Sequence, residues 1–406
     1  MLITSGQPAL NPRLVKEADA LTSAGYNVTI LYTYWNDWGA RLNTQLLSEK
    51  KWTAIQAGGD PQKKPLVYFL GRLIHKTSRA VLQKTGSYNY FAELAVARSS
   101  HFLMREAKKH RADLYIAHNL GALPAAVKTA RLYNKPCGFD AEDFHRQEVD
   151  DDTNSFHYKL VTCLEDKYLP AVNYLTGGSP MIAERYAQLY KRTVPHILNV
   201  FPKTNLPDTR QNDYGSLKLF WFSQNLGPKR GLEMIIEAMG LCKAPVELHL
   251  LGNHTAEYKQ HLLQLAQSAG VAINKLFFYP PVKADEIFDL ASGFDIGLAS
   301  ETGFCLNNNI ALSNKIFTYI QSGLAVAASN TPAQSGLISK YPQVGKVYSD
   351  AKDLAKIITD YHTNRELLHT TQKEAYKVGQ TELNWEHESQ KFLNIIKNIL
   401  ATTAIK

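Results

Sequence analysis

The feature that most constrains this fold is a strand–helix alternation that runs along the chain twice, once on each side of a proline-containing break. The first run opens with a short apolar strand, Leu2–Thr4, then a loop from Ser5 to Pro12. A helix is expected from Arg13, where Leu14, Ala18 and Leu21 recur at helical spacing before Gly25. Strands are expected over Val28–Tyr32, Asp113–His118, Pro136–Phe139 and Tyr174–Thr176, with helices over Ala122–Tyr133, Tyr158–Lys167 and Pro180–Leu189. The second run places strands over Leu217–Phe222, Val246–Leu251, Lys275–Tyr279, Asp295–Ala299 and Leu324–Ala328. Its helices cover Gly231–Met239, Glu257–Ala269, Asp285–Ala291 and Asn314–Gln321. Parallel neighbours need crossover helices, so each run predicts an α/β domain, a doubly wound parallel sheet with helices on both faces. The break, Phe201–Gly215, holds two prolines and many turn formers without periodicity, and reads as a linker. A chain of 406 residues suits two such domains, placed at 1–205 and 206–384. Two sheets facing one another would bound a central cleft at their strand carboxyl ends, where open α/β sheets bind ligands.

No stretch approaches the roughly 18 consecutive apolar residues of a membrane span. The start, Met1 to Gly6, lacks the basic and apolar regions of a signal peptide. Cys137, Cys163, Cys242 and Cys305 are far apart and read as buried thiols in a reducing compartment, so a cytoplasmic location is expected. The net charge of +8 is uneven. Residues 62–112 carry eleven Lys and Arg against Glu93 and Glu106, with Leu66, Val67, Tyr68, Phe69, Leu70, Leu73 and Ile74 interleaved. Such a segment suits peripheral contact with an anionic membrane at its inner face, at about 1 kcal/mol per near-surface cation. A solvated helical face accounts for the same charges. Nucleic acid is not an expected partner, because no helix-turn-helix, zinc-finger or RNA-binding signature accompanies them.

The richest loop runs from Ser223 to Gly231 between a strand and a helix. Backbone N–H groups at that helix start, with Lys229 and Arg230, suit a diphosphate, and Gly231 would let a ligand approach. Neither the P-loop spacing nor G-x-G-x-x-G is present. A second polar loop, Ser300 to Lys315, follows a buried strand. There Glu301 can bond sugar hydroxyls, and Lys315, unfavourable beside a helix N-terminus, implies a neutralising anion. Asn307 to Asn309 fit either turn formation or ligand contact. In the first run, His118 to Gly121 and Asp140 to His145 also follow strands, and Asp140, Glu142, Asp143 and an imidazole could orient an acceptor hydroxyl or take its proton. A capped, solvated acidic turn is the alternative. The D-x-D-like Asp150–Asp152 reads as a solvated loop rather than a metal-bound nucleotide site.

These residues resemble the retaining GT-B glycosyltransferases of family 4, over nearly the whole chain and most strongly from Leu219 to Ser329. The segment Phe222–Gly231 resembles the family's strand, glycine-arginine turn and helix start, and Leu248–Asn253 and Phe277–Pro281 its next nucleotide-contacting loops. Glu301 with Asn314–Gly323 resembles its carboxylate signature. Asn11–Ala18 and Phe139–Asp143 resemble its helix start and acceptor-side loop, and Trp385–Leu400 its terminal helix, so 385–406 is expected to rejoin the first domain. The resemblance implies a GT-B fold and transfer of a sugar from a nucleoside diphosphate sugar to a saccharide or lipid-linked acceptor of the cell envelope, with retention. It implies no cofactor and no metal. Arg230, Lys229, Glu301 and Lys315 would be catalytic. Gly6, Ser223, Gln224, Asn225, Gly252, Asn253, Tyr279, Pro280, Asn314 and Thr318 would bind the donor. His118, Asp140, Glu142 and Asp143 would face the acceptor, and lobe closure would exclude water. The chain departs from the pattern in three places. Thr318 stands where a ribose-binding glutamate is usual, Gln224 where the turn has arginine, and Glu142 where a histidine is frequent. An epimerase or hydrolase of the same two-lobed fold is the alternative among enzymes, and the departures at Thr318 and Gln224 keep open a non-catalytic nucleotide-sugar-binding module.

Overall fold

The computed structural model describes residues 1–89, 91–205, 215–283 and 286–404, and it divides into two compact units. Unit 1 holds Met1–Leu198, Cys305–Asn307 and the described chain from Ser389 onward. Unit 2 holds Asn199–Phe304 and Asn308–Glu388. Most of the expected linker, and Asp285 at the start of an expected helix, lie outside the described residues.

Unit 1 is built on six parallel strands: β1 (Leu2–Thr4), β2 (Thr29–Thr33), β3 (Thr53–Ala57), β4 (Tyr115–His118), β5 (Cys137–Ala141) and β6 (Tyr174–Gly177). Their order is β3-β2-β1-β4-β5-β6, the doubly wound arrangement that reverses direction beside β1. The central strand pairs Leu2 with Ile30 on one side and Ile116 on the other. Covered on both faces, β1, β4 and β5 are buried at every residue, which explains their continuous apolar reading. The helices are α1 (Pro12–Ser23), α2 (Asp37–Glu49), α3 (Pro65–Thr85), α4 (Ala92–Ala95), α5 (Ser100–Ala107), α6 (Leu123–Tyr133), α7 (Phe156–Tyr168) and α8 (Pro180–Tyr190). The start of α1 is fixed by Pro12 and by Asn11, whose side chain accepts from the Leu14 N–H. Ser179 caps α8 in the same way, accepting from Ile182 before Pro180.

Unit 2 repeats the plan with β7 (Leu217–Asn225), β8 (Val246–Asn253), β9 (Leu276–Tyr279), β10 (Ile296–Ala299), β11 (Ala325–Ser329) and β12 (Gly345–Tyr348). The order β12-β11-β10-β7-β8-β9 is the same winding. Its helices are α9 (Leu232–Leu241), α10 (Ala256–Ser268), α11 (Ile287–Ser292), α12 (Leu306–Ile310), α13 (Asn314–Gln321), α14 (Pro332–Lys340), α15 (Ala351–Thr363), α16 (Arg365–Thr381) and α17 (Trp385–Ala404). The first two residues of α12, Leu306 and Asn307, fall with Cys305 in unit 1, and the residues of α17 from Ser389 belong there too. Leu219, Trp221, Leu248, Leu250 and Leu298 from the sheet pack with Leu232, Ile235 and Ile236 of α9 in one core.

Two of the four edge strands, β3 and β12, escape a pattern reading, whereas β6 and β9 do not. β3 has one buried residue, Ala57, and β12 buries only Gly345 and Tyr348. Of the cysteines, Cys137 and Cys305 are buried, whereas Cys163 and Cys242 are half-exposed and all four are unbridged, which corrects the expectation that all are buried. Burial pushes the Cys137 thiol up to about 12. Among the described residues no helix is long and apolar enough to cross a membrane.

Candidate functional site

In unit 2 the candidate residues gather at the carboxyl ends of β7, β8 and β10. The register of β7 against β8 slips between Phe222 and Asn225, which brings Asn225 beside Asn253. Asn253 donates to the Gln224 carbonyl at 3.1 Å and accepts through its own carbonyl from Leu226 N–H at 2.7 Å. Gly252, at φ 152°, has no room for a side chain, since a Cβ would meet the Ser223 carbonyl oxygen at 2.4 Å. Gln224 and Asn225 are exposed, Ser223 half-buried.

Past Asn225 the loop turns through two left-handed residues, Lys229 at φ 61° and Gly231 at φ 76°, leaving the Lys229 and Arg230 side chains exposed. Two hydroxyls hold this turn. Ser300 donates to the Arg230 carbonyl at 2.7 Å and accepts from the Trp221 indole at 2.9 Å, while Thr302 donates to the Lys229 carbonyl at 3.2 Å. At Gly231 the chain sets its own requirement: a Cβ at that position would sit 2.9 Å from the Ser300 carbonyl oxygen, so the local backbone demands the glycine. As N-cap of α9, Gly231 brings no capping side chain, so the first-turn N–H groups rely on other acceptors.

The second correction concerns Lys315. Its ammonium, at the start of α13, is neutralised within the chain: Glu301 lies 2.6 Å away. Asn308 donates to the other Glu301 oxygen at 3.0 Å, and the Lys315 ammonium stands 5.8 Å from the Trp221 ring centroid. Burial works against the Glu301 charge, yet Lys315 outweighs it and holds the carboxyl down at about 2. Thr318, one turn on, is fully buried, and its hydroxyl donates to the Asn314 carbonyl at 3.1 Å. It therefore offers no surface where a ribose-binding glutamate is usual. Asn314 is half-buried, Tyr279 shares a 2.9 Å hydrogen bond with His249 Nδ1, and Pro280 is exposed.

In unit 1 the carboxyl ends of β4 and β5 meet α1 in a buried charge cluster. Arg13 Nε lies 2.5 Å from Asp140, its Nη1 donates to the Ile197 carbonyl at 2.5 Å, and Glu17 sits one turn along at 3.6 Å. His118 faces Glu17 at 3.1 Å, Asp140 at 3.7 Å and Glu142 at 4.0 Å. Thr176 donates to Asp140 at 2.7 Å. His118 and Asp140 are fully enclosed, whereas the Glu142 side chain is 27% exposed. The expectation that all four residues face an acceptor is thus narrowed to Glu142 and the half-buried Asp143, with His118 and Asp140 behind them. Arg13 and Glu17 were not singled out from the sequence. On a helix they look like an ordinary i,i+4 surface pair. Gly6 lies in the loop after β1, where a Cβ would meet nothing within 4 Å. That loop is tied to the next by Ser5, which donates to Asn119 at 2.7 Å, and by Asn119, which donates to Thr4 at 2.8 Å.

The loop after β5 is paired as well. Asn307 donates to Asp143 at 2.8 Å and accepts from the Phe144 N–H at 2.7 Å, and His145 Nδ1 lies 2.9 Å from Glu148. Asn307 and Asn308 thus brace other residues, and Asn309 donates to the Gly303 carbonyl at 3.2 Å, so all three asparagines act within the chain. Asp150 to Asp152 lie in an open stretch.

Burial opposes the charge on His118, but Glu17, Glu142 and Asp140 hold the imidazole up at about 10. Burial likewise opposes His145, which Glu148 and Asp143 hold at about 9. Burial lifts Asp140 and Asp143 to about 6 each, Arg13 pulling the first down and Glu148 pushing the second up. Both imidazoles are therefore more basic folded than unfolded. Their stabilisation is complete below pH ~6.5 and is lost as pH rises through about 9 and about 10. Urea melts of the wild type should show stability falling from neutral pH towards those values, and a shallower fall in His118→Asn. A wild-type profile that is flat over this range contradicts the charged cluster.

Among the described residues, His118, Asp140 and Glu142 are the group that brings three possible metal ligands together, with donor atoms within 4.8 Å of one another. The fit to a metal is poor, because the Arg13 guanidinium already lies against the Asp140 carboxylate that a cation would need.

No protein-family model matches the chain, and no curated protein matches it in sequence. Solved structures match it over nearly its full length. HepE from Anabaena, crystallised with UDP, superposes with a TM-score of 0.67 at 15% identity, covering 98% of this chain and 99% of that one. A TarM mutant from S. aureus, in complex with fondaparinux, α-GlcNAc-glycerol and UDP, gives 0.68 at 11% identity over 97% and 99%. Sucrose-phosphate synthase from Thermosynechococcus elongatus gives 0.66 at 13% identity over 99% and 100%. The chain has the fold of the GT-B glycosyltransferases: two six-stranded parallel sheets flanked by helices.

Proposed function

We propose that this protein is a retaining, family 4-like glycosyltransferase that moves a sugar from a nucleoside diphosphate sugar to a saccharide or lipid-linked acceptor of the cell envelope, without a metal ion. The observation that carries this reading is the cationic corner of unit 2. Exposed Lys229 and Arg230 stand at the start of α9, and Lys315 is held in place by Glu301. Solved structures of the same fold add support, since HepE was crystallised with UDP and with UDP-glucose, and TarM with UDP and α-GlcNAc-glycerol.

In the reaction the bond from the anomeric carbon to the diphosphate breaks, a bond from that carbon to the acceptor oxygen forms, and the acceptor hydroxyl's proton passes to the departing diphosphate. Charge develops on the departing diphosphate. Arg230, Lys229 and Lys315, with the first-turn N–H groups of α9, stabilise it as prepositioned donors and cations. Those cations do the work that a divalent ion does elsewhere. Glu301, already ionised, accepts hydrogen bonds from sugar hydroxyls. Exposed Gln224, Asn225 and Asn253, with Gly252 behind them and Tyr279 and Asn314 nearby in sequence to the same strand ends, contribute to the nucleotide surface. On unit 1, Glu142 and Asp143 meet the acceptor, and His118 and Asp140 act through them as positioning residues.

Product analysis tests the proposal. With a panel of nucleotide sugars, cell-envelope lipid extract and EDTA, the sugar should appear on an acceptor with the anomeric configuration of the donor. Free sugar alone points to a hydrolase, an isomerised nucleotide sugar to an epimerase, and loss of transfer in EDTA to a metal-dependent site.

A further inference from the structure

The helix α3 carries an apolar stripe that is exposed among the described residues. Leu66, Phe69, Leu70 and Leu73 are 85%, 62%, 48% and 57% exposed, and their spacing places them on one side of the helix. The opposite side, marked by Gly71, Ser78 and Leu82, is the side buried against the unit. Leucines turned outward at this density are unusual on a globular surface, where apolar residues are normally scattered singly. The flanks of the stripe are basic. Lys63 and Lys64 precede the helix, Arg72, Lys76 and Lys84 are exposed along it, and its 21 residues contain no Asp or Glu. An apolar face bordered by cations matches the two layers of an anionic bilayer interface, acyl chains below and headgroups beside them.

Position adds to the case. Tyr68 of α3 packs edge-on against Tyr34, the residue after β2, with ring centroids 5.6 Å apart. The helix is thus anchored at the strand carboxyl ends of the unit 1 sheet, the edge that also holds Glu142 after β5. The same edge presents Trp35 and Trp38, both exposed, with the Arg98 guanidinium 4.6 Å from the Trp35 ring. Tryptophan beside arginine is favoured at headgroup level.

We propose that α3 docks unit 1 onto a membrane surface bearing anionic lipid, with Leu66, Phe69, Leu70 and Leu73 entering the acyl boundary and the flanking lysines and arginine contacting headgroups. A second copy of this chain fits the stripe less well, because pairing two such helices would set like charges side by side. If the sugar-transfer reading also holds, this docking presents the acceptor edge of unit 1 to lipid-linked substrates.

Vesicle sedimentation of the full chain tests the proposal, with phosphatidylcholine vesicles and with phosphatidylcholine–phosphatidylglycerol vesicles. The protein should partition onto the anionic vesicles and far less onto phosphatidylcholine alone, with high salt weakening the binding. Leu70→Glu/Leu73→Glu should lower partitioning by at least about tenfold, and Lys76→Glu by roughly fivefold or more. Both changes are at exposed positions, and unchanged melting curves show that the variants remain folded. UDP binding measured without vesicles, the same in wild type and in Leu70→Glu/Leu73→Glu, separates loss of docking from failure of the donor site. The proposal is overturned if the wild type ignores anionic vesicles, if the double variant binds them equally well, or if the double substitution instead abolishes self-association of a chain that binds no vesicle.

Discussion

Replacing Arg13 by alanine should lower the melting temperature by roughly ten degrees, or prevent recovery of folded protein. Arg13 is fully buried, and its guanidinium is the cation set directly against Asp140, with Glu17 close behind. Removing one partner of a buried ion pair leaves the other charge without compensation, at a cost of about 3–5 kcal/mol. Here Asp140 loses its nearest cation and Glu17 one of two, with His118 left to face both, and the Ile197 carbonyl loses a donor. Arg13→Lys keeps the charge but cannot serve Asp140 and Ile197 together, so it should fall between the two. Differential scanning calorimetry reads the effect. A shift of only about one or two degrees in Arg13→Ala would mean that the cluster is not the electrostatic keystone described here.

The second large effect is expected at the Glu301–Lys315 pair, where the two substitutions should separate. Lys315→Met removes a cation from the leaving-group corner, and transfer should fall by about 10²–10³-fold with weaker binding of the nucleoside diphosphate. Glu301→Gln leaves Lys315 without the neighbour that neutralises it. Affinity for the bare diphosphate should then hold or rise, because the ammonium is no longer shared. The added affinity contributed by the sugar should be lost. Titration of both variants with UDP and with a UDP-sugar checks this, and equal loss of both ligands in Glu301→Gln would argue that the carboxylate only maintains structure. Glu301 titrates at about 2, below its ordinary value, so its contribution to stability is present above pH ~4.5 and is lost as pH falls through about 2.

The sheets were legible because their central strands are buried on both faces and read as apolar runs bounded by loops. Leu2–Thr4, the strand ending at His118 and the one beginning near Leu217 all stand close to where the pattern puts them. Two of the four edge strands were not, since Thr53–Ala57 has one buried residue and Gly345–Tyr348 two, and neither carries a continuous apolar signal. Position after a strand places Lys229, Arg230 and Glu301 in loops at strand carboxyl ends, whereas Asp140 lies within β5 itself. Partnership was not legible. Nothing local tells that Lys315 closes onto Glu301 across thirteen intervening residues, or that Arg13 and Glu17 turn inward to meet His118 and Asp140 from two other strands. Such contacts depend on the winding of the sheet, which brings α1, β4 and β5 together. The glycine at 231 shows the converse case. A requirement for glycine there comes from the left-handed backbone and from Ser300, 69 residues away in the loop after β10.

The most direct measurement of the central claim is the thermal stability of the purified chain in EDTA, titrated with uridine, guanosine and adenosine diphosphates and their sugars. One base should raise the melting point by a few degrees, as expected for about 2.7 kcal/mol at a ligand concentration 100 times the dissociation constant. The shift should disappear in Arg230→Ala and shrink in Lys315→Met. A folded wild type that responds to none of the nucleotides, or a shift untouched by Arg230→Ala, would contradict the assignment of the cationic corner of unit 2 as the diphosphate site.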